Sequence, residues 1–359
     1  MFNWSSFRKL ILQVHLWIGI GASIVLILTG VSGALLVFEA QIDRALNPKL
    51  GRVTPSGNAL SLSELKQRLE QQYPGSRVLG LSLADSDDMP YGAYLQPASG
   101  EGTGVAVNQY TGQVLGSWDE NRFTRKVHFF HTRLLAGDVG SAIVGWGSVL
   151  LLFLSVSGVY LWWRSKIFGV NFQSSGPKFQ FDLHSTTGIV ASLFLIIFAF
   201  TGIVVHWERP ARNWATQFSG YQDQRPGPVS AKAPGAMALD PDQLLASAQN
   251  AVPGAHATGI NLPDDADSPA MIGFRFPEDR TPAGRTRVFL DPYTGKVLAV
   301  NSSRAAPFTV RYMTRINREI HTGDVGGWPT RILAAIFSLA LPLLAITGPL
   351  LWWQRRQRS

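Results

Sequence analysis

Four long uncharged runs constrain this chain more than any other feature: residues 10–38, 139–163, 183–207 and 332–354, of 29, 25, 25 and 23 residues. A bilayer core is about 30 Å thick and a helix rises about 1.5 Å per residue, so roughly 20 apolar residues cross it. Every run is long enough. Only 16% of the 359 residues are charged, against about 25% in a typical soluble domain, and a soluble globular enzyme is excluded. The first run exceeds the apolar stretch of a signal peptide, about 7–15 residues, and reads as an uncleaved span. The expected fold is a membrane α-helical protein with four transmembrane helices.

Four spans put both termini on one side. The short segments there, including the loop 164–182, hold Arg8, Lys9, Arg164, Lys166, Lys178, Arg355, Arg356 and Arg358 against the single acid Asp182, and so carry +7 of the formal +8. Basic short loops mark the cytoplasmic side, so both termini are expected there. The same partition accounts for the high pI, and a nucleic-acid partner is not expected; the partner is the lipid membrane. In a bacterial inner membrane, segments 39–138 and 208–331 would then be periplasmic.

The chain repeats itself. His15-Leu-Trp-Ile-Gly19 opens the first run and His184-Ser-Thr-Thr-Gly188 the third; Gln109-Tyr-Thr-Gly-Gln-Val-Leu115 is matched by Pro292-Tyr-Thr-Gly-Lys-Val-Leu298. His131-Thr with Gly137-Asp-Val-Gly140 is matched by His321-Thr with Gly323-Asp-Val-Gly326, and Leu161-Trp-Trp-Arg164 by Leu351-Trp-Trp-Gln354. The order is kept while the offset drifts between 169 and 190, as insertions in surface loops produce. Two tandem copies of span, outer segment, span follow. Each outer segment patterns as a small α+β unit. The first has a helix over 61–72, strands over 78–83, 91–96 and 104–108, and a Tyr-Thr-Gly turn before a further short strand. The second has a helix over 242–251 and strands over 272–276 and 287–290. The Pro/Gly/Ala-rich stretch 225–238 reads as a linker or ordered loop.

Five of the seven histidines lie at run ends or just outside them: His15, His131, His184, His206 and His321. Ionisable groups at such places are costly and are functional candidates. By position His15 and His184 form a cytoplasmic-side pair, while His131, His321 and His206 form an outer group; His206 follows His184 by 22 residues, about 33 Å of helix. Neutral imidazole ligates iron in an apolar site, so each set is a candidate axial set for b-type haem, two in all. One haem near each face would make a path for electrons. The plainer readings are an interfacial polar residue, or zinc, for which the short ligand spacings are missing. His206 has no counterpart in the first copy, His128 is a weaker alternative one turn before His131, and His256 reads as a surface residue. With no cysteine in the chain, disulfides, iron–sulfur clusters and c-type haem attachment are all excluded. No nucleotide-binding glycine loop is present either, so electrons would have to come from a separate donor.

His15-Leu-Trp-Ile-Gly with Thr29-Gly30, the Tyr-Thr-Gly turns, His131 with Gly137-Asp-Val-Gly, His184 with Thr201-Gly202, and His321 with Thr347-Gly348 together resemble the PepSY-associated transmembrane helix family over nearly the whole chain. The resemblance implies that the outer units are two periplasmic PepSY-like domains. It also implies that histidines 15, 131, 184 and 321 ligate haem, as in the branch of inner-membrane proteins that reduce ferric siderophores on the periplasmic face. The expected substrate is a ferric siderophore, and the donor is a quinol, a flavin or a partner protein. Arg122, Arg125, Lys126, Arg311, Arg315 and Arg318, just before the outer histidines, would attract an anionic complex, hold haem propionates or contact lipid headgroups. The rival expectations are a haem electron carrier serving a separate reductase and a non-catalytic PepSY binding or regulatory module.

Overall fold

A computed structural model describes residues 4–117, 123–230, 237–281 and 283–357 and divides into two compact units. Arg122, Arg358 and part of the expected 225–238 linker lie outside the described residues.

The first unit is helical. Four of its helices are long and apolar enough to cross a membrane: Ser5–Leu36, Gly137–Ser165, Pro177–His206 and Trp328–Arg356, here the first to fourth spans. Their apolar side chains largely face outward, with Ile24 70% and Leu193 64% exposed, as lipid-facing residues are. Each span packs on the next and the fourth returns to the first, so the first and third stand diagonally across a closed ring. Small residues permit the approach: Ala22, Ala191, Ala199, Ala340 and Ala345 are buried with Leu26, Leu151, Leu195 and Leu341. The fourth span is interrupted at Leu339, because Pro342 cannot donate to the Ser338 carbonyl. That bend presses on Gly30, where a Cβ would lie 2.8 Å from the Pro342 ring and 2.9 Å from the Ser338 oxygen. Two shorter helices also belong to this unit: Phe123–Arg133, packed on the first and second spans, and Asn317–Thr322, packed on the third and entered through a π-helical turn at Tyr312–Ile316.

The second unit corrects the expectation of two separate α+β domains. Its strands are β1 Ser76–Ser82, β2 Tyr91–Pro97, β3 Thr103–Val107, β4 Val114–Ser117, β5 His256–Asn261, β6 Ala270–Arg275, β7 Thr286–Leu290 and β8 Val297–Asn301. They form one antiparallel sheet in the order β4-β3-β2-β1-β5-β6-β7-β8. The copies join where β1 meets β5, with Gly80 opposite Asn261, Leu81 opposite Ile260 and Ser82 opposite Gly259. Leu81 and Ile260 are repeat-equivalents, so a pseudo-two-fold axis passes between them. The flanking bonds obey it: Leu83 N–H donates to Thr258 at 2.9 Å and Leu262 N–H to Leu79 at 2.8 Å. An edge strand exposes unpaired backbone groups, and its own duplicate is the partner that satisfies them. The sequence pattern did not mark β5, and His256 is its exposed first residue.

Helices Leu62–Gln72 and Pro241–Gln249 cover one face, each opened by a capping box, Ser61 with Glu64 and Asp240 with Gln243. They also meet at the symmetry axis, where Asp242 accepts from the backbone N–H groups of Leu62 and Ser63, both at 2.9 Å, and from the hydroxyl of its equivalent, Ser63.

The two Tyr-Thr-Gly turns fold alike. Asn108 accepts from Tyr110 and Thr111 N–H, Asp291 from Tyr293 and Thr294 N–H, and each tyrosine hydroxyl donates to a loop carbonyl, Asp87 or Ala266. Burial alone would raise the Asp291 carboxyl, but hydrogen bonds from Ser230, Tyr293 and Thr294 hold it down at about 2. Its contribution to stability is therefore complete above the unfolded value of about 3.9 and is lost as pH falls towards 2. Asp291→Ala should destabilise the sheet unit by about 1–3 kcal/mol at neutral pH, and that penalty should vanish in acid. Thermal unfolding between about pH 7 and pH 2 checks this; a penalty independent of pH would contradict it.

Candidate functional site: duplicated histidines in the bundle

His15 and His184, on the diagonal spans, face each other across the ring with centres 6.5 Å apart and planes at 89°. They border a cavity of about 250 Å³ with largely aliphatic walls and with Arg8 and Arg355 at the end that carries the termini. Glycines make the room. Gly19 and Gly188 lie one helical turn beyond the histidines and line the cavity. Opposite, a Cβ on Gly158 would come 3.5 Å from the His15 ring, and one on Gly348 3.4 Å from the His184 ring. Ser155, another lining residue, keeps a buried hydroxyl without a partner among the described residues.

The second level lies 17 residues further along the first and third spans, about 25 Å of helix. His131 projects from Phe123–Arg133 against Gly33, and His321 from Asn317–Thr322 against Gly202, with Cβ positions 3.1 and 3.4 Å from the rings. Burial pushes both imidazoles down to about 4, helped at His131 by His321 and His128 and at His321 by Arg318. Both are therefore neutral at physiological pH, as ligands must be.

All four histidines share one hydrogen-bond arrangement. Nδ1 lies 2.8 Å from Ser157 Oγ in His15, 2.9 Å from Thr347 Oγ1 in His184, 3.0 Å from Ser32 Oγ in His131 and 2.8 Å from Thr201 Oγ1 in His321. Ser157 and Thr347 are repeat-equivalents, as are Ser32 and Thr201. The sequence reading singled out Thr29-Gly30, but the repeat offset and the structure give that role to Ser32-Gly33. Thr201-Gly202 and Thr347-Gly348 stand among the sequence motifs, and Ser32-Gly33 and Ser157-Gly158 complete a Ser/Thr-Gly pair in every span, the signal that marks all four partners.

The other candidates lie elsewhere. The His206 ring packs against Gly145, where there is no space for a Cβ, and meets Trp207 edge-on at 4.5 Å. It lines a separate recess with Glu208, Arg209 and Arg212, and no hydroxyl anchors it among the described residues. His128 contacts Phe129. Of the cations, Arg125 lies over the Phe129 ring and Arg315 faces Glu319 at 3.9 Å. Between the levels Phe194 stacks on Phe337 at 3.9 Å, and Phe198 meets His321 at 6.2 Å. The equivalents of the stacked pair are Val25 and Gly147, so the halves differ there.

No group of three or more His, Asp or Glu side chains that could hold a metal stands together among the described residues; the histidines offer ligands in twos. A haem iron needs two, because the macrocycle supplies the rest. With metal–imidazole bonds of about 2.0–2.1 Å, ring centres 6.5 Å apart would let His15 and His184 hold one metal between them. The glycine-lined walls, the two arginines for carboxylates and the unpartnered Ser155 hydroxyl also fit such a group. Gly348→Val would fill the wall beside His184, and haemin titration of that variant should show loss of binding at the near level only.

Fold and site together define a multi-pass membrane protein built from two copies of a span–strands–span unit, with a histidine pair near each end of its bundle. The PepSY-associated TM region family matches residues 12–355, and the chain belongs to that family. No curated protein matches it.

Proposed function

We propose that this protein is an inner-membrane b-type haem protein that passes electrons across the membrane, from cytoplasmic termini to a periplasmic sheet unit, and reduces ferric siderophores. The observation that carries this reading is the His15–His184 pair, set ring to ring across a glycine-lined apolar cavity; His131 and His321, the second pair, share its hydroxyl anchors. Haem, when bound, supplies one-electron exchange between Fe(III) and Fe(II). His15 and His184 would hold one group, and His131 and His321 the other. Arg8 and Arg355 would neutralise carboxylates at the near level, and the aliphatic walls keep water out. At the periplasmic face the substrate is Fe(III) in hard, anionic oxygen ligands, which hold Fe(II) far less tightly, so one electron releases the metal. In this reading the sheet unit is two PepSY repeats fused edge to edge.

The test is anaerobic. Protein reduced with dithionite and freed of excess is mixed with a ferric hydroxamate and a ferrous trap. Reoxidation of the haem with matching Fe(II) supports the reading. Reduced haem that persists without Fe(II) would make the protein a carrier for a separate reductase.

A further inference from the structure

We propose that Ser157, Thr347, Ser32 and Thr201 are positioning residues that fix the proton of each paired histidine on Nδ1 and aim a bare Nε2 at the iron. The inference rests on the haem reading for its ligand, though the hydroxyl geometry stands without it. A hydroxyl has one proton, and in all four cases it is already committed. Ser157 donates to Phe153 at 2.7 Å, Thr347 to Leu343 at 2.8 Å, Ser32 to Leu28 at 2.7 Å and Thr201 to Ile197 at 2.6 Å, each one turn back in its own span. The oxygen therefore presents only lone pairs to the ring, and only an Nδ1–H can meet them. A neutral imidazole protonated on Nδ1 has its free lone pair on Nε2. In all four rings the side-chain hydrogen bond falls on Nδ1, and the backbone carbonyls of Thr29, Leu344 and Phe198, acceptors like the hydroxyl oxygens beside them, also meet the His131, His184 and His321 rings. A free histidine side chain favours the opposite tautomer, so the hydroxyls select the ligating form before the ligand arrives.

The wiring follows the duplication. Each hydroxyl bond stays within one repeat, His15 to Ser157 and His184 to Thr347 near the termini, His131 to Ser32 and His321 to Thr201 at the far level. Each histidine pair instead joins the two repeats. Every level therefore has one serine-anchored and one threonine-anchored ring. Outer partners of this kind raise ligand basicity, and their removal typically costs about 10–100-fold in affinity. A hydroxyl whose proton is committed is a neutral acceptor, so its loss should weaken electron donation to the metal and raise the midpoint potential.

The full chain in detergent, labelled with 15N-histidine and free of haem, reads the tautomer directly. The proposal expects Nδ1–H at His15, His131, His184 and His321. Ser157→Ala and Thr347→Val should move the near pair towards Nε2–H, weaken haemin binding there about 10–100-fold and raise that level's midpoint potential. Ser157→Thr and Thr347→Ser should restore all three. The far level, anchored by Ser32 and Thr201, is the internal control for folding. Variants that keep the wild-type tautomer, affinity and potential would overturn the proposal, as would Nε2–H in the wild-type protein. Nδ1–H in a wild-type chain that takes up no haemin would instead sink the haem reading and leave the hydroxyl assignment standing.

Discussion

His15→Ala and His184→Ala should each remove one haem and leave one, taking the content from about two per chain to about one. The two residues serve one cavity, while the far pair has its own anchors in Ser32 and Thr201 about 25 Å along the spans. Loss at the near level should therefore not spread. Because both side chains act on a single group, the double variant should be no worse than either single one, the mark of residues that work as a unit. His131→Ala and His321→Ala should behave in the same way at the other level, and combining variants across levels should leave a colourless protein. His206→Ala should retain both haems, since its ring packs on Gly145 and Trp207. Haem per chain, with the reduced spectrum, decides each case. Two haems retained in both His15→Ala and His184→Ala would contradict the near-level assignment.

The seam of the sheet yields the second large effect. Leu81 and Ile260 are 2% and 1% exposed and stand directly opposite each other on β1 and β5. Truncating either to alanine should cost about 2–5 kcal/mol. As contacting residues they should also couple, so that the double variant departs from the sum by about 0.5–3 kcal/mol. Two copies folded as separate domains would give additive losses within about 0.5 kcal/mol, because each change would then be felt in a different unit. Denaturant unfolding of the full chain and its three variants measures the difference.

The spans and the duplication were legible because each rests on information spread along the chain: apolar length for the spans, conserved motif order for the copies. The helices over 61–72 and 242–251 were readable from capping residues and apolar spacing, and the structure moves their starts by a single residue. The fusion of the two sheets was not legible. The alternation of β1 says which face is buried, not which strand lies beside it, and only the equivalence of Gly80 and Gly259 in sequence hinted at the partner. β5 escaped for a related reason: His-Ala-Thr-Gly-Ile-Asn lacks the β-branched density of the other strands and owes its form to pairing with β1 and β6. In the site, histidine positions were visible at the run ends, but not which hydroxyl each one meets: the motifs set Thr201 with His184 and Thr347 with His321, whereas the structure joins His184 to Thr347 and His321 to Thr201. Ser157 or Ser32 in a span looks like an ordinary residue bonded back to its own helix, which it also is. The place of His206 depends on a glycine in another span, a relation that no local pattern carries.

The most direct measurement is the visible spectrum of the purified protein in detergent, oxidised and dithionite-reduced, with haem quantified per chain. The histidine pairs predict a sharp Soret band, resolved α and β bands on reduction, and about two haems per chain. A protein that stays colourless after expression with added haem precursor would contradict the account and leave a PepSY membrane module without a redox role.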